Sequence, residues 1–365
     1  MSVPPAPVAA ANDLSPLPDD GNGKPARPQR RGLRILLFVV GLGVLGALAA
    51  LVGWGPIAEN LARIGPLYFL VLVALCGAAQ IAFTLGWWCI VGRPHPMSFG
   101  ELLAAYLAGD SVNYFTSVGG EPVKAHLLDS KMGFRPAFAT IWVHRNADVL
   151  SQWMFLVVGA VVTMTHFELP NVVRWLVISG LLVLGGLAIG FTGLQRKGFF
   201  GAFFRIFMKV PVLAKKIRHF EEHAHAVDEK IRLYYHREEH KTQFAWAVVW
   251  GFIGWCGGLF ETWIVLRLMS PTHGFASAYA VEALAMILNS ILLFIPAKIG
   301  SAEGIRVAVA AVLGLTPAQG AAYALVRRAR EIVWLIPGFV ILLKHHLVDV
   351  AHLRLQALPA EERAP

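Results

Sequence analysis

The run from Pro66 to Val91 holds no charged side chain, and about 20 such residues in a helix cross the hydrocarbon of a bilayer. Further apolar runs, four of them carrying one or a few charges, occupy Ile35–Trp54, Pro136–Thr165, Val172–Gly193, Phe244–Leu268 and Pro317–Leu343. Six transmembrane helices are therefore expected. Composition agrees: 56% of the 365 residues are hydrophobic and only 15% charged, where a globular domain carries about 25% charged residues. That balance excludes a collagen, a disulfide scaffold and a disordered chain. The predicted class is an all-α polytopic membrane protein. Its three cysteines, Cys76, Cys89 and Cys256, lie in apolar runs and read as packing residues.

The formal charge of +9 is concentrated in the N-terminal tail and one middle loop, which argues against nucleic-acid binding. The tail is rich in proline, poor in large apolar side chains, and ends in Arg27, Arg30, Arg31 and Arg34. Such a segment buries too little to offset its ordering entropy. The middle loop carries eleven Lys and Arg residues between Arg196 and Lys241, while the loops at 59–63, 166–171 and 271–275 are short and poor in them. By the positive-inside rule both termini and the middle loop are expected to be cytoplasmic. The expected organisation is a disordered tail (1–32), a first membrane half (33–194), a cytoplasmic loop (195–243), a second membrane half (244–345) and a second tail (346–365).

Within the loop, Ile217, Phe220, Ala224, Val227, Ile231 and Tyr234 are three or four apart, the pattern of an amphipathic helix. It is expected to lie on the lipid surface or on the protein's own inner face. Five nearby histidines lack the companions of a metal site, and no metal or cofactor is expected.

Two further apolar segments are interrupted. Residues 98–133 contain Asp110, Asn113, Gly119, Gly120 and Glu121; residues 277–314 break at Pro296-Ala-Lys-Ile-Gly300. Each reads as a re-entrant helical hairpin, because irregular backbone at membrane depth needs a protein or water cover. The two breaks also repeat one another. Glu121, Lys124, Gly133, Pro136, Arg145 and Asp148 recur as Glu303, Arg306, Gly314, Pro317, Arg328 and Glu331 at offsets of 181–183 residues. Gln80 with Glu261, and Glu101 with Glu282, extend the series upstream at 181. The span count places the repeats in opposite orientations. Inverted repeats with broken helices are the architecture of alternating-access transporters, with the site near the midplane.

Ionisable groups at bilayer depth mark functional sites, and those here are Glu121, Lys124, Arg145, Asp148, Glu303, Arg306, Arg327, Arg328 and Glu331. His144 with Asp148, and Arg327 with Glu331, are spaced four apart on shared helix faces. Structural ion pairing is the rival reading, but bases outnumber the nearby carboxylates when Arg330 is included. A guanidinium fork suits phosphate, and the short helices after Gly119-Gly120 and Gly300 offer positive dipole ends to an anion. Glu121 and Glu303 sit in those first turns, where they either cap the helices or orient the bases. Gly186-x-x-x-Gly190 and Gly254-x-x-x-Gly258 read as close helix packing. No zinc-protease, redox or nucleotide-cradling motif is present.

Ser117-Val-Gly-Gly-Glu121 with Lys124, Pro296-Ala-Lys-Ile-Gly-Ser-Ala-Glu-Gly304 and Ala324-Leu-Val-Arg-Arg-Ala-Arg-Glu331 resemble the motifs of a known family. It is the flippase-like membrane family typified by the transmembrane region of lysylphosphatidylglycerol synthases, and the branch associated with hopanoid biosynthesis is most similar. The resemblance implies a lipid translocase moving an anionic or amphipathic lipid between leaflets. The lysyl-transferring members carry a soluble catalytic domain after the membrane region, and this sequence ends at Pro365. A transporter rather than an enzyme is therefore expected. The alternatives are an intramembrane lipid-modifying enzyme and an accessory protein partnered with a lipid-biosynthesis enzyme.

Overall fold

The computed structural model describes residues 54–92, 96–116, 119–208, 221–291 and 300–357. Among them are twelve helices and no strand. They are α1 Trp54–Val91, α2 Phe99–Thr116, α3 Gly120–Leu127, α4 Asp129–Met132, α5 Phe134–His166, α6 Asn171–Lys197, α7 Phe199–Met208, α8 Glu221–His236, α9 Glu238–Met269, α10 Phe275–Ile291, α11 Ser301–Val312 and α12 Pro317–Ala357. Four of these, α1, α5, α6 and α9, are long and apolar enough to cross a membrane. The 41-residue α12 is less apolar because Arg327, Arg328, Arg330 and Glu331 interrupt it. The expected first span, Ile35–Trp54, and the tail before it lie outside the described residues, Trp54 excepted, as does most of the break at 292–299.

Helix starts follow the local chemistry. Gly65 takes φ 65° and ψ 168° inside α1, immediately before Pro66, so the expected span begins at that proline and a separate short helix precedes it. The repeated glycines Gly133 and Gly314 both adopt left-handed backbone, φ 80° and 82°, ahead of α5 and α12. A side chain is disfavoured in that region, which is why both positions are glycine. The internal repeat thus extends to backbone conformation.

Packing carries the repeat further. The two helices that precede the hairpins, α1 and α9, lie against each other through close approaches such as Gly254 on the Phe83 ring and Gly257 on Ala79. Each hairpin opens with a longer helix, α2 or α10, followed by a shorter one, α3 or α11. The short ones pack on the long helix that follows them, α3 on α5 and α11 on α12. The longer ones reach across instead, α2 onto α12 and α10 onto α5. Ser111 of α2 donates to the Leu335 carbonyl of α12 at 3.3 Å, and Tyr279 of α10 donates to the Phe155 carbonyl of α5 at 3.1 Å. The main core lies where α5, α9, α10 and α12 meet, around Phe155, Leu266, Ile287 and Tyr323.

The outer face is apolar, with Val172, Trp175, Leu182 and Leu187 of α6 between 64% and 78% exposed. Patches of that kind on a helical bundle suit a lipid environment. Gly186 and Gly190 share this outer face, and a Cβ at either would meet nothing within 4 Å. Among the described residues they make no close helix contact, contrary to the packing expected of them.

The amphipathic stripe turns inward. Val227, Ile231 and Tyr234 of α8 are buried against Ile90, Val143 and Ala147; Ile217 and Phe220 lie outside the described residues. A buried polar clamp fixes the helix: Asn146 donates to the Tyr235 hydroxyl at 2.7 Å, and that hydroxyl donates to Gln195 at 2.9 Å. Burial pushes the Tyr235 hydroxyl up to about 12, so it keeps the proton it donates.

Candidate functional site

The first hairpin is built on a close backbone approach. A Cβ on Gly120 would lie 1.9 Å from the Gly109 carbonyl oxygen, and one on Gly109 would strike the Lys124 stem. Glycine at both places lets α2 and α3 touch and lets Lys124 lie across them. Asn113 secures the turn, its oxygen accepting from the Gly120 N–H at 2.7 Å and its amide donating to Glu121 at 3.0 Å. Thr116 accepts from the Gly119 N–H at 2.9 Å. The positive end of α3 is therefore satisfied by the hairpin itself. Among the described residues Glu121 caps no backbone; it pairs with Lys124 at 3.3 Å, both side chains being about nine-tenths or more buried. The Lys124 ammonium stands 4.7 Å from the Tyr106 ring centroid, a cation–π contact.

The counterpart differs. Glu303 does cap α11, accepting from the Gly300 N–H at 2.7 Å, and its other oxygen accepts from Arg328 Nε at 2.6 Å. Arg306 reaches Glu331 at 4.0 Å. Arg328 also reaches Glu331, at 3.5 Å, and donates to the Tyr114 hydroxyl of α2. That contact joins the two halves of the chain.

Three arginines on one stretch of α12 point to three different helices. Arg327 makes a bidentate pair with Glu282 of α10, with Thr262 and Tyr323 donating to the same carboxylate at 3.0 Å. Gly258 of α9 faces this pair, its ideal Cβ 3.4 Å from both Arg327 and Glu282, so one expected packing glycine makes room for an ion pair. Arg330 pairs with Glu261 of α9 at 2.8 Å and donates to the Cys76 thiol of α1. Cys76 is thus more than a packing residue. Two four-residue spacings do not form the pairs their faces suggested. Arg327 takes Glu282 in place of Glu331, and His144 sits between the rings of Trp87 and Tyr106, 6.2 and 6.3 Å away.

Arg145 pairs with Asp148 at 3.3 Å. Its side chain is nonetheless 50% exposed, against 14% or less for Arg306, Arg327, Arg328 and Arg330. Glu121, Tyr106 and Asp110 are its other titratable neighbours. Asp110 links this cluster to the α12 cluster: it accepts from Gln80 at 3.4 Å and lines an interior cavity of ≈ 60 Å³ with Ser111, Tyr114, Arg330 and Glu331. The expected excess of base is not what the fold assembles. Six bases (Lys124, Arg145, Arg306, Arg327, Arg328 and Arg330) face seven carboxylates (Asp110, Glu121, Asp148, Glu261, Glu282, Glu303 and Glu331). A charge removed from water is tolerable when paired and hydrogen-bonded; each of these six bases has a carboxylate partner, while one buried polar atom each on Asp148, Glu261, Arg327 and Arg330 has no hydrogen-bond partner among the described residues.

All nine site residues expected from the sequence fall within these linked clusters. Tyr106, Asp110, Tyr114, Thr262 and Tyr323 were missed as partners. Asp110 and Asn113 had signalled only a helix break, and the tyrosines carried no signal beyond their apolar surroundings.

Comparison with known proteins follows the same outline. The family model of the lysylphosphatidylglycerol synthase TM region matches residues 34–338. A UPF0104 membrane protein of Methanothermobacter thermautotrophicus is 22% identical over 318 residues, covering 80% of this chain and 89% of the relative. No solved structure matches.

Proposed function

We propose a function from one premise: the chain belongs to the lysylphosphatidylglycerol synthase TM region family, and so is a multi-pass membrane protein linked to lipid metabolism or translocation. Its role is to move a lipid between leaflets. The headgroup, anionic or zwitterionic with a phosphate, travels past the charged interior while the acyl chains stay in hydrocarbon.

Arg145 carries this reading. It lies about 17 Å from the start of a 33-residue apolar helix at 1.5 Å per residue, and it is half exposed. A guanidinium at that depth is stable only toward a water-lined crevice or a polar ligand. A phosphate meeting it there forms two parallel hydrogen bonds, competing with Asp148. Lys124 beside Glu121, and Arg306 and Arg328 beside Glu331, offer further exchanges of a carboxylate for a phosphate.

Among the described residues, the ≈ 60 Å³ cavity at the α2–α12 seam is far below the several hundred Å³ of a ligand pocket, so this seam does not admit a headgroup as it stands. Passage requires α2 and α3 to part from α12. The paired hairpins, packed crosswise on α5 and α12, supply the two-fold device that alternating access uses. The basic tail and middle loop support an orientation with both termini in the cytoplasm, in the inner membrane of a bacterial cell.

The test is reconstitution in liposomes with a fluorescent phosphatidylglycerol and a dithionite readout of leaflet exchange. Exchange well above protein-free vesicles, lost in Arg145→Ala and Arg328→Ala, supports the reading. Exchange at background with wild type, or unaltered by both variants, overturns it. Covalent change in the extracted lipid would instead indicate an enzyme.

A further inference from the structure

Outside the membrane interior, α6, α7 and α8 enclose a second pocket, of ≈ 250 Å³, lined by Lys197, Arg205, His225, Asp228, Glu229 and Arg232. We propose that it holds the phosphate of an anionic phospholipid at the membrane surface. The site is independent of the transport path, and nothing in the inference rests on translocation.

Depth comes first. Lys197 is the last residue of α6, one of the helices long and apolar enough to cross a membrane, so the pocket opens where headgroups lie. Arg196 beside it is engaged elsewhere, 5.3 Å over the Tyr235 ring, which leaves Lys197 to the pocket.

Charge comes second. Asp228 is buried, and its two oxygens accept the N–H groups of Phe200 and Gly201 at 2.9 and 2.6 Å. Its negative charge is spent on the N-terminus of α7, where it offsets the helix dipole. Gly198 at φ 102°, and Gly201, bring that backbone within contact of Asp228 and His225, so the floor is fixed. Around it Lys197, Arg205 and Arg232 are exposed, and no described carboxylate forms a salt bridge with any of them. Glu229 is the one remaining acid, and the pocket is net positive.

The apolar character of α7 decides between a lipid and a free phosphate. Helix α7 reads Phe-Phe-Gly-Ala-Phe-Phe-Arg-Ile-Phe-Met. Phe204 is buried while Phe203, on a different face of α7 from Arg205, is 52% exposed. A basic pocket at the end of a membrane helix, walled by a short helix this rich in phenylalanine, suits a phosphodiester with acyl chains attached.

The test uses the full chain, delipidated and exchanged into phosphatidylcholine nanodiscs with a minor fraction of phosphatidylglycerol. Lipid retained after detergent extraction is counted by mass spectrometry. The combined variant Lys197→Gln, Arg205→Gln, Arg232→Gln is expected to lower retained phosphatidylglycerol at least about tenfold. A charge-matched control on the same segment, Lys230→Gln, Arg237→Gln, Lys241→Gln, is expected to lower it less than about twofold. All six side chains are exposed, so both variants fold. Equal losses in the two variants would assign the effect to diffuse surface charge and overturn the site. Unchanged retention would also overturn it. Displacement of the lipid by millimolar inorganic phosphate or glycerol 3-phosphate would reassign the pocket to a soluble phosphate.

Discussion

Arg145 and Arg327 lie in corresponding stretches of the two repeats, yet their environments ask for different behaviour on mutation. Arg327 is 13% exposed and its carboxylate partner Glu282 only 4%. Glu282→Gln leaves the guanidinium buried without its counter-charge, which costs about 3–5 kcal/mol; thermal unfolding in detergent should show the midpoint fall sharply. Arg145 is half exposed with a single pair at 3.3 Å, and such pairs contribute at most about 1 kcal/mol. Arg145→Ala should therefore unfold close to wild type while losing at least about tenfold in lipid exchange. A large stability loss in Arg145→Ala would make it a structural residue instead. The sequence located both arginines, because charges stand out in apolar runs. It misassigned Arg327 because a four-residue spacing identifies a helix face and says nothing of which distant helix covers that face. Glu282 comes from a helix 45 positions earlier in the chain and offers a bidentate geometry that Glu331 on the same helix does not.

At the scale of the element, the hairpins depend on glycine in opposite ways. Gly120→Ala would drive a Cβ into the Gly109 carbonyl, a backbone atom that has nowhere to go. The expected outcome is loss of folded protein on size-exclusion chromatography. Gly304 lies inside α11 with nothing within 4 Å of its ideal Cβ. Gly304→Ala is expected to be neutral or to gain up to about 1 kcal/mol from helix propensity, read as an unchanged or raised unfolding midpoint. Sequence spacing treats the two glycines alike, since both adjoin a glutamate of the repeated motif. What separates them is the proximity of α2, which only the packed structure reveals. The long helices were legible unevenly: Pro136–Thr165 was expected and Phe134–His166 is found, whereas the helix expected from Phe244 begins at Glu238 and the one expected to end at Leu343 runs to Ala357. Their boundaries are set by glycine and proline chemistry that is local to the chain. The stripe on α8 was equally visible, but periodicity gives a face without its partner, and the face turned out to be buried on α5 and α9.

For the whole molecule, the contact between Arg328 and Tyr114 is one bond in the closure of the interior. Tyr114→Phe removes a hydrogen bond of about 1 kcal/mol, which raises the open population by a factor of about 5. Cys76 lines the cavity behind that contact and is 6% exposed. In a Cys89→Ser, Cys256→Ser background, a water-soluble thiol reagent should label Cys76 about fivefold faster when Tyr114 is Phe. An unchanged rate would mean that the α2–α12 seam does not open along this contact. The repeat itself was readable as a series of offsets, because eight residue pairs kept one spacing. The crosswise assembly was not, since an offset relates residues within the chain and carries no information about which half each hairpin leans on.

That crosswise assembly has a consequence for how the protein is made. Tyr114 and Arg328 are separated by 214 residues, and a ribosome adding 5–20 residues per second takes roughly 10–40 s to bridge that interval. Throughout it the first hairpin stands beside α5 with its α12-facing side uncovered, and Tyr114 waits for Arg328. The early half of this chain is an unfinished surface that must be sheltered by lipid or by another protein. A chain halted before Pro317 should be cleared by membrane proteases within that shelter's lifetime, and co-expressing residues 317–365 as a separate piece should rescue it.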